Sequence, residues 1–233
     1  MSGRTVCAIL LAGGSGSRMQ SDTAKQHLLL RGIPVAVRAA LALQKATLID
    51  AILVVTRKED IPVFQEYKRS YQIDKIIAVT EGGATRRESA LNGILAMPDK
   101  YRYVAIHDAA RCLTDPRDID RVVTEGIRHG AASLAIPAVD TVKFVGKTGL
   151  TLTENQPPRG SIRQMQTPQV FLADLYRAAA YTAHKDGFEA TDDCSLIEHI
   201  GKSCFLTEGS ERNIKITTPL DLKIAEALLE DSE

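Results

Sequence analysis

A glycine-rich segment near the N-terminus carries two separated cations, Arg18 at its end and Lys25 after it. This combination suits the binding of a nucleoside triphosphate. The segment reads Leu11-Ala12-Gly13-Gly14-Ser15-Gly16-Ser17-Arg18 and comes directly after a short apolar run. Glycines at such a turn leave backbone N–H groups bare, so an anion can approach them closely. Arg18 and Lys25 add mobile positive charge. We therefore expect this loop to cradle phosphates.

The spacing of the glycines excludes two commoner phosphate loops. A dinucleotide fingerprint that starts at Gly14 and Gly16 requires a third glycine where Met19 stands. A P-loop requires Gly-Lys five residues after its first glycine, but Arg18 lies five residues after Gly13 and Met19 five after Gly14. A nicotinamide enzyme is therefore not expected. The remaining alternative is an ordinary glycine-rich turn.

Asp108 and Arg111 form a second group that suits phosphate chemistry. A carboxylate at a strand end can share a magnesium ion with substrate phosphates, and Arg111 offers a planar fork for a phosphate. The alternative for Asp108 is a helix cap or a turn acid. We interpret His107 as a buried structural histidine and not as a catalytic base.

Gly82, Gly83 and Ser89 follow a later strand-like run and could contact a base. The glycines permit close backbone approach, and Ser89 lies in the first turns of a helix, where capping or solvation is the alternative. We interpret Arg86 and Arg87 as solvated charges balanced by neighbouring acids, outside the site.

The C-terminal third adds Arg159, Thr191 and Lys215. Lys215 lies between two isoleucines, so alternation points it away from them, toward a crevice or solvent. Asp192 and Asp193 could suggest a second metal, but an acid-rich helix start is the simpler interpretation.

The elements that must position these residues alternate between strands and helices. Apolar strand-like runs recur at Val6–Leu11, Ala51–Thr56, Lys75–Val79, Arg102–Ile106 and Ala131–Ile136. This alternation predicts an α/β fold with a doubly wound, mostly parallel sheet. In such folds the loops at the carboxyl ends of the strands form the binding crevice. Helix starts are predicted at Pro34, at the Thr85–Glu88 capping box, at Asp115-Pro116 and at Thr218-Pro219.

Residues 137–159 break this rhythm and predict an inserted β-hairpin arm. Thr141–Val145 and Leu150–Thr153 are the expected strands, joined by a turn with two glycines. An isolated hairpin is marginal in water, so it is expected to pack on a second subunit or back on its own domain.

Composition favours one globular domain over residues 1–233. Lys plus Arg and Asp plus Glu each number 29, so the zero net charge gives no support to a broad nucleic-acid or membrane-binding role. The four cysteines form no Cys-x-x-Cys pair, which indicates reduced thiols in a cytoplasmic protein. The apolar run at the N-terminus is too short to span a bilayer and marginal for a signal peptide.

Taken in order, the motifs resemble one family across nearly the whole chain, the 2-C-methyl-D-erythritol 4-phosphate cytidylyltransferases. They are Ala12–Met19, Lys25-Gln26, Arg87–Ser89, His107–Arg111, Asp140-Thr141, Arg159 with Gln166–Gln169, Thr191–Asp193 and Asn213–Ile216. The resemblance implies a Rossmann-like nucleotidyltransferase sheet that transfers CMP from CTP to methylerythritol phosphate, with Mg²⁺ required and pyrophosphate released.

The resemblance also implies roles for individual residues. The glycine loop from Leu11 to Gly16, Gly82, Ser89, Asp108 and Ala109 would bind CTP. Arg18 and Lys25 would act on the triphosphate, and Asp108 would hold magnesium. The acceptor would be bound by Asp108, Arg111, Thr191 and Lys215, joined by Thr141 and Arg159 from the arm of a homodimer partner. Arg163 lies close enough to Arg159 to compete for that role.

Two other functions stay open from the sequence. One is a cytidylyltransferase for an alditol phosphate such as ribitol 5-phosphate, which shares the loop and the Asn213–Ile216 element. The other is a CTP-sensing module without catalysis. In the transfer reaction the acceptor phosphate is already ionised, so cations that offset anion repulsion are needed more than a general base.

Overall fold

Nine strands are present in the computed structural model, which describes residues 3–14, 24–146, 149 and 156–230. Two short strands, β2 (Leu29–Leu30) and β3 (Ile33–Pro34), pair only with each other. The other seven form one sheet: β1 (Val6–Leu11), β4 (Ala51–Thr56), β5 (Ile76–Glu81), β6 (Tyr103–Asp108), β7 (Ala131–Pro137), β8 (Arg163–Leu172) and β9 (Phe205–Glu208).

The order of strands in this sheet is β5-β4-β1-β6-β8-β7-β9. β1 pairs in parallel with β4 and β6, β4 with β5, and β7 with β9. The predicted doubly wound, mostly parallel sheet is confirmed. The strand order reverses at β1, which is where such sheets open a crevice at the carboxyl ends of their strands.

Helices cover both faces of the sheet, because alternate residues of its central strands are apolar on both sides. On β1, Ala8 and Leu10 pack in one core while Cys7 and Ile9 pack in the other. The first core is closed by α1 (Val35–Lys45), α2 (Ile61–Ser70), α4 (Pro116–His129) and α7 (Pro219–Glu230). The second core is closed by α3 (Arg86–Ala96), α5 (Ala173–Lys185) and α6 (Asp193–His199).

The predicted helix starts agree with the structure to within a residue. Thr85 accepts a hydrogen bond from the Glu88 N–H, and the Glu88 carboxylate accepts one from the Thr85 N–H, so α3 begins with the predicted capping box. Asp115 caps α4, with Pro116 in its first turn. α1 begins at Val35, one residue after the predicted Pro34.

β8 is a central strand that the apolar pattern did not predict. It lies antiparallel to both β6 and β7, between them. Its buried side chains include the polar Gln166, Thr167 and Gln169, whose groups are all hydrogen-bonded. A strand that buries polar groups in a network does not show the apolar run by which buried strands are recognised.

The expected first strand of the arm, Thr141–Val145, forms no continuous strand with any residue that the structure describes. Only a single bridge residue, Val145, pairs there. The expected second strand, Leu150–Thr153, lies outside the described residues. A strand requires a partner ladder. Val139, Val142, Phe144 and Val145 are all exposed, so this segment lacks cover within the described chain.

All four cysteines are free thiols, as the sequence predicted, and Cys7, Cys112 and Cys194 are buried. Burial raises the pKa of Cys7 and of Cys112 to about 12. Cys112 therefore acts as a small apolar filler. Among the described helices, none has the length and apolarity needed to cross a membrane.

Candidate active site

A cavity of about 350 Å³ opens at the carboxyl ends of β1 and β6. Its wall holds most of the predicted nucleotide-binding residues: Leu11, Ala12, Gly13, Gly14, Ser89, Asp108 and Ala109. The wall also holds Lys25, which is expected at the triphosphate, and Lys215, which is expected at the acceptor. Backbone bonds fix its rim, since the Ala12 N–H donates to Val55 O and the Ala109 N–H donates to Leu11 O. We name this space the donor cavity. Gly16 and Arg18 lie outside the described residues.

Lys25 reaches the donor cavity from a 3-10 helix, Lys25–His27. A Cβ on Gly14 would lie 3.3 Å from Lys25 Cε, so the lysine stem passes directly over the glycine loop. The next residue, Gln26, is buried, and its Nε2 donates to Asp60 at 3.2 Å. That hydrogen bond anchors the short helix that presents the ammonium group.

Gly82, Gly83 and Ser89 form a tight turn beside the donor cavity. A Cβ on Gly82 would lie 2.6 Å from Ser89 Oγ, and one on Gly83 would lie 2.2 Å from Glu88 Cβ, so side chains at both positions are excluded. Ser89 Oγ accepts from the Gly83 N–H and donates to Thr85 O. An adjoining cavity of about 330 Å³ is lined by Gly13, Gly82 and Ser89 among others. Ser89 thus holds the turn while facing both spaces.

Asp108 lies at the centre of a charged cluster. Its Oδ2 is 2.7 Å from Lys215 Nζ, and its Oδ1 accepts a hydrogen bond from Arg86 Nε at 3.0 Å. Burial alone would raise the pKa of Asp108, but the charges and hydrogen bonds of Arg86 and Lys215 hold it well below its ordinary value. Asp108 is therefore an anion throughout the physiological pH range.

Arg86 belongs to the site, so its interpretation as a solvated charge is wrong. Its Nη1 lies 2.8 Å from Asp193 Oδ2, so that one guanidinium joins Asp108 and Asp193. Burial opposes the charged form, but the two carboxylates outweigh it and raise the pKa of Arg86 above its ordinary value. The acid-rich start of α6 is confirmed, since Asp192 accepts from the Ser195 N–H.

A second cavity, of about 420 Å³, lies on the other side of this cluster. We name it the acceptor cavity. Arg86, Asp108 and Lys215 line both cavities and form their common wall. The acceptor cavity also contains Arg111, Thr167, Gln169, Thr191, Asp192 and Ser195.

Arg111 and Thr191 lie where the sequence expectation requires. Two Arg111 nitrogens donate to the Asn213 and Met165 carbonyls, at 2.6 and 3.1 Å. Its Nε is buried without a hydrogen-bond partner among the described atoms. Burial lowers the pKa of Arg111. Thr191 Oγ1 lies 3.1 Å from Ser195 Oγ at the mouth of the cavity.

His107 is a buried structural histidine, as predicted. Its Nε2 lies 3.2 Å from Arg111 O, and its Nδ1 lies 2.9 Å from Thr167 Oγ1, which accepts from the Asp108 N–H. A carbonyl only accepts, so these partners assign the proton to Nε2. Burial lowers the pKa of His107 to about 4. The neutral imidazole therefore ties the Asp108–Arg111 turn to β8.

Thr141 and Arg159 line neither cavity of the described protomer. Thr141 lies in the exposed segment after β7, and Arg159 begins an exposed 3-10 helix, Arg159–Ser161. Arg163, the competing arginine, is also exposed and donates to Gly160 O and Ile162 O.

Three residues of the site have no role in the sequence expectation, although Thr167 and Gln169 belong to one of its motifs. Arg86 is expected outside the site because neighbouring acids could balance it, whereas the carboxylates that it contacts, Asp108 and Asp193, are distant in sequence. Thr167 and Gln169 lie on the unpredicted strand β8 and reach the acceptor cavity through its register. The capping box at Thr85 could have located Arg86, because it places that arginine in the first turn of a helix at the crevice.

The family model for 2-C-methyl-D-erythritol 4-phosphate cytidylyltransferase matches residues 6–231. The chain belongs to this family. A cytidylyltransferase of that name from Syntrophus aciditrophicus is 41% identical over 230 residues, which cover 98% of this chain and 97% of the relative. A cytidylyltransferase of the same name from Pelotomaculum thermopropionicum is 37% identical over 225 residues, which cover 96% of this chain and 94% of that relative.

Solved cytidylyltransferase structures have the same fold. A 4-diphosphocytidyl-2C-methyl-D-erythritol synthase from Anaerococcus prevotii superposes with a TM-score of 0.86 at 27% identity, covering 97% of this chain and 99% of that one. The 2-C-methyl-D-erythritol 4-phosphate cytidylyltransferase of Thermus thermophilus gives 0.76 at 30% identity, covering 96% and 98%.

Proposed function

We propose that this cytidylyltransferase transfers the CMP group of CTP to 2-C-methyl-D-erythritol 4-phosphate and releases pyrophosphate, in isoprenoid biosynthesis. The observation that carries the proposal is the common wall of the donor and acceptor cavities. Arg86, Asp108 and Lys215 line both, so two phosphorylated ligands can meet there. Family membership supplies the identity of the two ligands.

The reaction requires charge compensation more than proton removal. An oxygen of the acceptor phosphate bonds to the α-phosphorus of CTP, and the bond from that phosphorus to the pyrophosphate oxygen breaks. The nucleophile is ionised at neutral pH, so no side chain has to take a proton from it. Lys25 lines the donor cavity, where we assign it to the leaving pyrophosphate. Lys215 and Arg111 line the acceptor cavity, where we assign them to the incoming phosphate. Arg18 is assigned to the triphosphate with Lys25.

Magnesium fits the donor cavity if the substrate supplies most of its ligands. Asp108 is the sole carboxylate among the described residues of the wall of this cavity, and both of its oxygens contact cations. Each carboxylate oxygen retains a second lone pair, and Mg²⁺ in such sites is bound by one or two carboxylates together with substrate phosphates. We therefore propose that Asp108 holds Mg²⁺, which neutralises phosphate charge.

We further propose a cytoplasmic homodimer in which the partner's arm completes each site. The exposed apolar side chains between Val139 and Val145 favour burial against another chain. Thr141 lies on this exposed stretch and Arg159 in the exposed 3-10 helix Arg159–Ser161, and neither lines the donor or the acceptor cavity of its own protomer. We assign both to the acceptor phosphate across the interface. Free thiols agree with a reducing compartment.

Pyrophosphate release tests the choice of donor and of acceptor together. The enzyme is assayed with Mg²⁺ and each of CTP, UTP, ATP and GTP, against methylerythritol 4-phosphate and ribitol 5-phosphate. We expect release with CTP and methylerythritol 4-phosphate. Faster turnover of ribitol 5-phosphate would assign the chain to alditol phosphates. CTP binding without release for either acceptor would indicate a non-catalytic CTP-sensing module.

A further inference from the structure

We propose that Arg86 is a positioning residue for this transfer, which holds Asp108 at the common wall and is itself held by Asp193 and Tyr176. The inference rests on the proposed function and assigns to that site three residues that its substrate contacts do not require. It arises from a guanidinium that contacts two buried carboxylates of different elements.

Arg86 has the geometry of a bracket between two carboxylates. It lies in the first turn of α3, and its Nε and Nη1 contact Asp108 and Asp193 at 3.0 and 2.8 Å. The planar guanidinium presents its nitrogens at fixed angles, so occupying both contacts fixes the orientation of the group. A lysine carries the same charge but has a single nitrogen. It can contact two carboxylates but lacks the rigid fork that fixes both contacts at set angles.

Asp193 anchors this bracket from the protein interior. Its side chain is only 2% exposed, and its Oδ1 accepts a hydrogen bond from the Tyr176 hydroxyl at 2.8 Å. Its Oδ2 has the contact with Arg86 and no hydrogen bond from another described group. A buried carboxylate with one cationic partner strongly favours keeping that partner in place. Arg86 is therefore held from the side that faces away from the substrates.

The anchor matters because Lys215, the other cation on Asp108, is assigned to the acceptor phosphate. When Lys215 turns from Asp108 toward that phosphate, Asp108 loses one of its two ion pairs. Arg86 retains the other on Oδ1 while the Asp108 N–H stays bonded to Thr167 Oγ1. The carboxylate thus keeps its place during the exchange of partners.

Conservative variants test this role in the full enzyme. We compare Arg86→Lys, Asp193→Asn and Tyr176→Phe with Arg87→Lys as the matched control. Arg87 is the next residue of the same helix turn, and its Nη1 donates to Phe188 O, away from both cavities. We expect Arg86→Lys and Asp193→Asn to lower kcat about tenfold and Tyr176→Phe about threefold, because small misplacement of reacting groups slows turnover steeply. Arg87→Lys should leave kcat unchanged.

A double-variant cycle with Asp108→Asn separates positioning from general loss of structure. If Arg86 acts through Asp108, Arg86→Lys should change the residual kcat of Asp108→Asn by less than about twofold, since residues acting as one unit are not additive. If Arg86→Lys lowered kcat by the same factor in the wild type and in Asp108→Asn, the proposal would be overturned. Equal kcat for Arg86→Lys and Arg87→Lys would overturn it as well.

Thermal unfolding of every variant provides the control for folding. If Arg86→Lys does not fold, Tyr176→Phe decides, because it removes a single hydroxyl; an unchanged kcat would then overturn the proposal. A wild-type enzyme that releases no pyrophosphate would instead overturn the proposed function, and the role of Arg86 with it. The two failures are therefore distinguishable.

Discussion

Three charged side chains from distant parts of the sequence, Lys25, Asp108 and Lys215, face one cavity. The 3-10 helix Lys25–His27 holds the first, the end of β6 holds the second, and the segment after Asn213 holds the third. Had they lain on separate faces, no charge-compensating mechanism could use them. Their convergence follows from parallel strands, whose carboxyl ends all meet at one edge.

Lys25→Ala should lower kcat by about a hundredfold or more, as expected for loss of one preorganised group that stabilises the transition state. Pyrophosphate release at saturating CTP and acceptor measures the effect. Lys185→Ala, at the exposed end of α5, is the matched control and should turn over like the wild type. A well-folded Lys25→Ala enzyme with wild-type kcat would refute the assigned role.

His107 should make the fold less stable in mild acid. Its pKa is lowered by burial to about 4 from an ordinary 6.5, so between these values the unfolded chain binds a proton that the folded chain does not. The free energy of unfolding should therefore fall as pH drops from 6.5 to 4, by about 1.4 kcal/mol per unit and about 3 kcal/mol in all from this group.

Chemical denaturation of the wild type and of His107→Asn across this pH range measures that contribution. The variant has no imidazole to titrate, so its stability should change less with pH. His184→Asn, at an exposed position, should keep the wild-type dependence. Parallel curves for the wild type and His107→Asn would contradict the expectation.

At the scale of elements, the sequence predicts the strands that are apolar on both faces and misses those that are not. β1 and β4 are buried throughout or nearly so, and their apolar runs coincide with their observed bounds. β8 buries Gln166, Thr167 and Gln169, and the last two are hydrogen-bonded to His107 and Asp192. Its sequence therefore lacks the apolar run of a typical buried strand, although β8 lies in the middle of the sheet. The polar residues that β8 contributes to the site thus hide its strand pattern in the sequence.

The same reasoning explains which site residues could be found. Asp108 was found because it ends a recognisable strand, and strand ends form the crevice. Arg86 cannot be assigned to the site from the sequence, because the two carboxylates that it contacts are brought next to it only when the chain folds. Sequence position identifies candidates at the crevice, whereas long-range ion pairs require the three-dimensional arrangement.

Gly126→Ala should destabilise the contact between α4 and β8. A Cβ at this position would lie 2.4 Å from Val170 Cγ1 and 2.7 Å from Val170 Cβ, closer than packed atoms approach. We expect a loss of about 1–3 kcal/mol in the free energy of unfolding, the range for overpacked cores. Thr124→Ala, exposed on the same helix, should change it little. Equal stability of both variants would show that the helix shifts freely.

At the scale of the whole molecule, mixed dimers test whether Arg159 acts across the interface. Arg159→Ala and Asp108→Asn chains, each of low activity, are unfolded together and refolded as a mixture. In a mixed dimer one site combines an intact core with an intact arm, so roughly a quarter of wild-type activity should return at equal mixing if subunits pair at random.

Separately refolded chains provide the baseline for this experiment, and Arg163→Ala in place of Arg159→Ala distinguishes the two arginines. If activity returns when Asp108→Asn is mixed with Arg159→Ala but not when it is mixed with Arg163→Ala, the contact across the interface belongs to Arg159. Activity that never exceeds the mean of the two parent preparations would contradict an arm that reaches the partner's site.

The partition formed by Arg86, Asp108 and Lys215 also couples the occupancy of the two chambers beside it. An anion bound on one side changes the electrostatic potential on the other, and thermodynamic linkage makes that influence reciprocal. Whatever factor CTP imposes on the affinity for the sugar phosphate, the sugar phosphate must impose on the affinity for CTP. The affinities of such an enzyme are therefore properties of the pair of ligands, and neither constant has meaning unless the state of the neighbouring chamber is specified.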